Sequence, residues 1–246
     1  MSRPRLLLVP LLTELEWDPI RPQLEEWAEV ASFDVPGVGE EPAAPTLDRE
    51  TMVQRGLVEL ERRGWDRCVV AADGMGGATA TRLVRARPEA VEAVALGHAR
   101  LSNRLEGERV PMNRELLEAL GQLLNQDYPA FIRHGLTQMT HGSLGDELAA
   151  RMMERVPLEI GRRVWEISMQ QEPVAELLEG LDIPLLFAQH EGCLVATPEG
   201  FEDAKAAFPN ARTVGYPDAP SVTPAFGQDL RVFYTELVVH ARVTPD

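Results

Sequence analysis

The fold is decided by one stretch, in which a run of apolar residues leads into a glycine-rich turn: Cys68-Val69-Val70-Ala71-Ala72-Asp73-Gly74-Met75-Gly76-Gly77. The apolar part predicts a buried β-strand, because short apolar runs bounded by turn residues are typical of strands inside a sheet. The next residues, up to position 87, are rich in small side chains and predict a helix. A strand, a tight turn and a helix in this order form the first part of a βαβ unit.

The same alternation extends over most of the chain. Residues 6–9 are all apolar, as expected for a strand that is covered by helices on both faces. Further strands are predicted at 30–35, 91–96, 183–188 and 212–216, and helices at 20–29, 49–63, 199–208 and 228–240. Because crossovers between parallel strands are right-handed, this order predicts an α/β fold with a mainly parallel, doubly wound sheet.

The pattern changes between residues 101 and 174, where helical segments follow one another without a convincing strand. These segments are predicted at 114–124, 128–136, 144–155 and 159–169, and prolines stand at their starts and ends. We therefore predict that residues 1–100 and 175–246 form the sheet domain, with residues 101–174 inserted as a helical cap.

Composition disfavours several classes of function. The 246 residues include 24 basic and 39 acidic side chains, and the net charge of −15 argues against a nucleic-acid groove or an anionic-membrane patch. No run approaches the ~18 apolar residues of a membrane helix, and no signal peptide is recognisable, so we expect a cytoplasmic protein. The two cysteines, Cys68 and Cys193, are too few for a disulfide framework or a four-cysteine zinc site. We expect no cofactor.

Five stretches, in the same order along the chain, resemble the α/β-hydrolase superfamily in its small esterase-like and lactonase-like branch with a helical cap. They are residues 7–12 with Trp17 (first strand and oxyanion-hole loop), 33–39 (Asp-x-Pro-Gly-x-Gly turn), 69–77 with 87–91 (nucleophile strand, elbow and next strand), 181–198 (acid loop) and 208–211 (approach to the histidine loop). The resemblance implies a sheet with a cap and a Ser-His-Asp triad.

This chain departs from the family pattern at all three triad positions. The elbow, Gly-x-Ser-x-Gly in the family, places Gly74 at the nucleophile position. The carboxylate position falls on Cys193 and the histidine position on Ser221, and no histidine lies between His190 and His240. The resemblance therefore implies a degenerate triad, which argues against ordinary serine ester hydrolysis.

Other residues near these positions could carry chemistry. Asp73 is interpreted as a buried or capping residue rather than a displaced nucleophile. His98 and His190 each follow a predicted strand, at the edge where open α/β sheets bind ligands. Each is either a proton carrier or a loop histidine bonded to the backbone. Cys193 has only His190 beside it in the sequence, which favours an unreactive thiol.

Binding residues are predicted at the same edge. Leu11, Gly74 and Met75 would line a ligand pocket together with the two histidines. His134 and His141 lack the spacing of a metal-binding pair, so no metal site is predicted.

Three functions remain open. The favoured one is a non-hydrolytic pseudoenzyme that binds a small apolar metabolite under the cap or regulates a protein partner. The second is an enzyme of other chemistry, such as a cyclase, isomerase or lyase, with a histidine or Asp73 as proton carrier. The third is a hydrolase whose nucleophile has moved to Ser221, Cys193 or Asp73. A histidine close to a hydroxyl or thiol would favour catalysis.

Overall fold

The computed structural model describes residues 3–98, 113–140, 145–170, 172, 174–190, 193, 197–217 and 222–238. Within these residues, six strands form one parallel sheet in the order β2-β1-β3-β4-β5-β6. The strands are β1 Arg5–Val9, β2 Glu29–Ser32, β3 Cys68–Asp73, β4 Val91–Gly97, β5 Leu185–His190 and β6 Arg212–Tyr216. The predicted mainly parallel, doubly wound sheet is confirmed.

Helices cover both faces of this sheet. They are α1 Arg21–Glu25, α2 Arg49–Arg63, α3 Gly76–Ala86, α4 Arg114–Gln126, α5 Tyr128–Thr140, α6 Gly145–Arg155, α7 Leu158–Ser168, α8 Val174–Leu178, α9 Pro198–Ala207 and α10 Pro224–Phe233. In β1, Leu7 and Val9 pack on the side of α2 and α3, whereas Leu6 and Leu8 pack on the side of α1 and α10. Because both faces are buried, the four residues of β1 that follow Arg5 are all apolar.

Several element boundaries differ from those predicted. β2 ends at Ser32 rather than at residue 35, and α1 spans only five residues. β5 extends to His190, so this histidine is the last residue of a strand and does not follow one. The last helix begins at Pro224, where Thr223 caps its N-terminus, and passes into a π-helical turn at Tyr234–Val238. Element ends are set by capping contacts, which the hydrophobic pattern does not reveal.

The helices between β4 and β5 are anchored to the sheet domain by buried polar contacts. The guanidinium of Arg49, at the start of α2, forms an ion pair with Glu172 at 3.2 Å and donates to the Ile167 carbonyl of α7. Both side chains of the ion pair are buried. The boundaries of the cap at residues 101 and 174 stay a prediction. None of the described helices is both long and apolar enough to cross a membrane.

The turn between β3 and α3 passes through Gly74 in the left-handed region, at φ +51°. No described atom lies within 4 Å of the position that a Cβ would take at Gly74. The glycine is therefore required by the backbone and not by a close neighbour. L-residues with a side chain adopt this conformation at a cost of roughly 1–2 kcal/mol, and glycine avoids that cost.

We predict that Gly74→Ala lowers the free energy of unfolding by about 1 kcal/mol, because backbone strain is its only penalty. The control is Gly135→Ala in α5, where a Cβ also meets no described atom but the backbone is helical. The free energy of unfolding of this control should rise by about 0.5–1 kcal/mol. Urea denaturation measures both, and an unchanged or more stable Gly74→Ala protein would contradict the left-handed turn.

Candidate functional site at the carboxyl edge of the sheet

Polar residues stand at the ends of three neighbouring strands, or directly after them, at the same edge of the sheet. Asp73 is the last residue of β3 and pairs with Gly97, the last residue of β4. His98 follows Gly97 directly, and His190 is the last residue of β5. Because the strands are parallel and adjacent, the chain brings these side chains together at the edge where such sheets bind ligands.

Asp73 and His98 form a direct contact across the strand ends. The Nδ1 atom of His98 lies 3.1 Å from Oδ1 of Asp73. Gly97 makes room for this contact, because a Cβ at that position would collide with the same Asp73 oxygen. His98 itself adopts φ +48°, a left-handed conformation that is rare for a residue with a side chain. Strained residues of this kind cluster at functional sites.

The charge of Asp73 changes the acidity of the histidine. Burial alone lowers the pKa of His98, since it penalises the charged imidazolium. The negative charge of Asp73 and its hydrogen bond outweigh that penalty, with a smaller contribution from Cys193, and raise the pKa from 6.5 to about 10. The pair therefore favours a protonated imidazole with its second nitrogen, Nε2, directed away from Asp73.

His190 and Cys193 complete the cluster. The rings of His98 and His190 meet edge to face, with centroids 4.8 Å apart. One ligand atom each from His98, His190 and the sulfur of Cys193 all lie within 4.8 Å of one another. The backbone N–H of Cys193 donates to the His190 carbonyl at 3.1 Å, which ties the cysteine to the end of β5.

This arrangement changes the interpretation of Cys193. The sequence favours an unreactive thiol because only His190 is near it along the chain, but the fold brings His98 beside it. A thiol next to an imidazole that is oriented by a carboxylate has the components of nucleophilic catalysis. The same atoms also have the chemistry of a metal site, which sequence spacing does not reveal because the ligands come from separate strands.

The remaining predicted site residues divide into two groups. Gly74 and Met75 lie in the turn that follows Asp73, at the same edge of the sheet. Ser221 lies outside the described residues, as do His141 and His240. Leu11 lies in the loop after β1, and its N–H group donates to the carboxyl group of Glu16.

Glu16 is a site residue that the sequence prediction missed. Its carboxyl group accepts the N–H groups of Leu11 at 2.8 Å, Leu12 at 2.7 Å and Thr13 at 3.1 Å. These N–H groups belong to the loop that the hydrolase resemblance implies as the oxyanion-hole loop, and in the structure Glu16 engages all three. The Thr13-x-x-Glu16 spacing of a capping box is the sequence signal that could have located it.

Asp34 fixes the same loop from its other side. Its carboxylate accepts the Thr13 hydroxyl at 2.7 Å and the Glu14 N–H at 3.1 Å. Arg155, in α6, donates to the second oxygen of Asp34 at 2.8 Å. The loop after β1 is therefore held rigidly, and a helix of the predicted cap contributes to holding it.

Glu16 titrates near neutral pH. Burial raises the pKa of Glu16 from 4.5 to about 7, partly offset by the three N–H donors, and the charge of Asp73 raises it slightly further. The folded protein thus binds this proton more tightly than the unfolded chain. The contribution of Glu16 to stability is full below pH 4.5 and is lost as the pH rises to about 7, a difference of about 3 kcal/mol.

We predict that Glu16→Gln destabilises the protein at pH 4.5 by about 1–3 kcal/mol, because an amide NH₂ would face a backbone N–H. The gap to the wild type should narrow as the pH rises to 7, since only the wild type loses stability through this group. The control is Glu118→Gln on the exposed face of α4. Chemical denaturation at several pH values measures the gap, and a gap that does not change with pH would contradict the titration of Glu16.

Comparison with known proteins supports the fold. No protein-family model matches the chain, and no curated protein matches it. Among solved structures, an esterase from Rhodococcus sp. matches with a TM-score of 0.77 and 16% identity over 96% of this chain and 91% of its own. A hydrolase from Oleispira antarctica matches with a TM-score of 0.74 and 15% identity, over 100% of this chain and 93% of its own. An enol-lactonase from Burkholderia xenovorans matches with a TM-score of 0.72 and 17% identity, over 96% of this chain and 93% of its own.

The parallel sheet, the helices on both of its faces and these structural matches agree with the resemblance in the sequence. At such low identities the matches bear on the fold alone. The chain has the α/β-hydrolase fold.

Proposed function

We propose that the chain is an enzyme that hydrolyses small acyl compounds. Its nucleophile is the thiol of Cys193, which His98 and Asp73 assist. The observation that carries the proposal is the contact of His98 with Asp73 on one side and its proximity to the Cys193 sulfur on the other. The proposal corresponds to the third function left open by the sequence, a hydrolase with a relocated nucleophile.

Each of the three residues has a defined role. Asp73 holds the ring of His98 through Nδ1, so that Nε2 is available for proton transfer. In the resting enzyme the proton is held by His98, whose pKa is raised, and Cys193 is the thiolate, which is the nucleophilic form. Asp73 is a positioning residue, whereas His98 and Cys193 would contact the substrate.

The reaction follows from these roles. The thiolate attacks the acyl carbon, a sulfur–carbon bond forms, and the bond to the leaving group breaks as His98 gives that group its proton. Water then attacks the acyl-cysteine and gives a proton to His98. The sulfur–carbon bond breaks, the acid product leaves, and the thiolate–imidazolium pair is restored.

The negative charge that develops on the acyl oxygen needs a partner. The N–H groups of Leu11 and Leu12 are engaged by Glu16 and do not serve. The N-terminus of α3 begins two residues after Gly74 and has N–H groups without partners in the helix. Its positive end would stabilise the oxyanion.

A cytoplasmic location, which we propose with the function, agrees with a reactive thiol. Cys68 and Cys193 form no disulfide with each other. The reducing environment of the cytoplasm keeps such thiols available for chemistry.

We predict that iodoacetamide labels Cys193 much faster than Cys68 in the folded protein, in buffer with EDTA. Burial raises the pKa of Cys68 to about 12, so that thiol stays protonated and enclosed. The same protein should hydrolyse a small activated thioester. Cys193→Ala should abolish turnover, and His98→Gln and Asp73→Asn should each lower it by at least about 100-fold.

Cys68→Ala is the matched control and should leave both labelling and turnover unchanged. Peptide mapping by mass spectrometry assigns the label, and a colorimetric thiol assay follows the thioester. Equal labelling of the two cysteines, or turnover that survives in Cys193→Ala, would overturn the proposal.

Two observations favour a second function. Gly74 has no side chain, and Glu16 occupies the N–H groups of the loop after β1, as expected of a protein that binds without hydrolysing. Such a binder would hold a small apolar molecule or regulate a protein partner. Absence of both labelling and turnover, with a small molecule retained in native mass spectrometry, would favour this function.

A further inference from the structure

We infer that His98, His190 and Cys193 form a binding site for Zn²⁺ at the carboxyl edge of the sheet. His190 has no role in the proposed thiol reaction, because the Asp73–His98–Cys193 system does not need a second imidazole. The ion would bind whether or not the thiol reaction occurs. The regulatory consequence given below rests on the proposed function.

The distances suit a small metal ion. The three ligand atoms lie within 4.8 Å of one another. Tetrahedral zinc, with bonds of about 2.0–2.3 Å to nitrogen and sulfur, places its ligands roughly 3.3–3.6 Å apart. Small rotations of the side chains are therefore enough to bring all three into coordination.

The ligand atoms and the surroundings of His98 also favour zinc. Imidazole and thiolate are the ligands that zinc prefers, whereas Mg²⁺ and Ca²⁺ require oxygen. A histidine that binds zinc usually donates its other ring N–H to a carboxylate, which is the relation of His98 to Asp73. Only 8% of His98 is exposed, and its buried Nε2 atom has no hydrogen-bond partner among the described residues.

Three protein ligands leave one coordination position for water or another small ligand. Structural zinc sites are closed by four protein ligands, whereas three ligands with an open position are typical of accessible ions. Gly74, in the turn after Asp73, leaves open space at the same edge of the sheet, since no described atom stands within 4 Å of the point that a Cβ would occupy.

Zinc and the thiol reaction would compete for the same atoms. The ion would displace the proton from Nε2 of His98 and bind this nitrogen and the sulfur of Cys193, which are the two atoms that the proposed proton transfer requires. Bound Zn²⁺ would therefore inhibit the enzyme and protect Cys193 from alkylation.

The test titrates the EDTA-treated and desalted full chain with ZnSO₄ in competition with a chromophoric chelator. We expect one Zn²⁺ per chain. Co²⁺ in its place should give a thiolate-to-cobalt charge-transfer band that is lost in Cys193→Ala. His190→Gln should weaken binding at least 10-fold, and Asp73→Asn, through the orientation of His98, by about 10–100-fold.

His190→Gln separates the two proposals, because it removes a zinc ligand but none of the thiol machinery. This variant should keep the iodoacetamide labelling of Cys193 in EDTA but lose the protection that Zn²⁺ gives the wild type. His134→Gln, in α5 and outside the cluster, is the matched control and should bind zinc like the wild type.

The outcomes distinguish the two ideas. If Zn²⁺ binds with less than one equivalent, or binds equally to His190→Gln, or fails to protect Cys193, the zinc site is wrong, while turnover in EDTA still supports the thiol enzyme. If one Zn²⁺ binds through His190 and Cys193 but no turnover is found in EDTA, the zinc site is supported and the thiol enzyme is wrong.

Discussion

The contact between Asp73 and His98 is the interaction on which the whole site depends. It joins the ends of two adjacent parallel strands, and Gly97 provides the space for it. The same contact fixes the ring of His98 and directs Nε2 towards the cluster with His190 and Cys193. The edge-to-face contact with His190 supports the same ring from another side.

The fold explains how polar side chains gather close to the position that the family resemblance assigns to the nucleophile. In an α/β sheet, several strands deliver side chains to one edge, and the turn after β3 is only one of them. Gly74 contributes no side chain, but its neighbour Asp73 and residues from the ends of β4 and β5 meet at that edge. A cluster of polar side chains at this edge therefore does not require a side chain at position 74.

Glu16 determines how the N–H groups of the loop after β1 are used. A buried carboxyl group is costly unless it is hydrogen-bonded, and three backbone N–H groups meet that need. Those donors belong to the loop where the family resemblance implies oxyanion binding. The proposed thiol reaction therefore takes its oxyanion partner from the N-terminus of α3 and not from this loop.

The sequence predicts the fold far better than it predicts the site. Continuous apolar runs such as residues 6–9 and 68–72 identify buried strands, and Asp48 and Gly64 mark the ends of α2 as the structure has them. The prediction also named Asp73, His98, His190 and Cys193 one by one. It also placed the two histidines at one edge of the sheet, beside the turn after Asp73. The contact of His98 with Asp73 and the proximity of Cys193 to the histidines were not predictable, because they depend on strand register and on the end of β5, which lies two residues later than the apolar run indicated.

The most direct measurement of the central claim is a double-mutant cycle on the unfolding free energy of Asp73→Asn, His98→Gln and the combined variant, with metal removed. If the two side chains form a buried, charge-assisted pair, the account predicts a coupling energy of about 1–3 kcal/mol. Effects that add to within about 0.3–0.5 kcal/mol would contradict the pair and the site built on it.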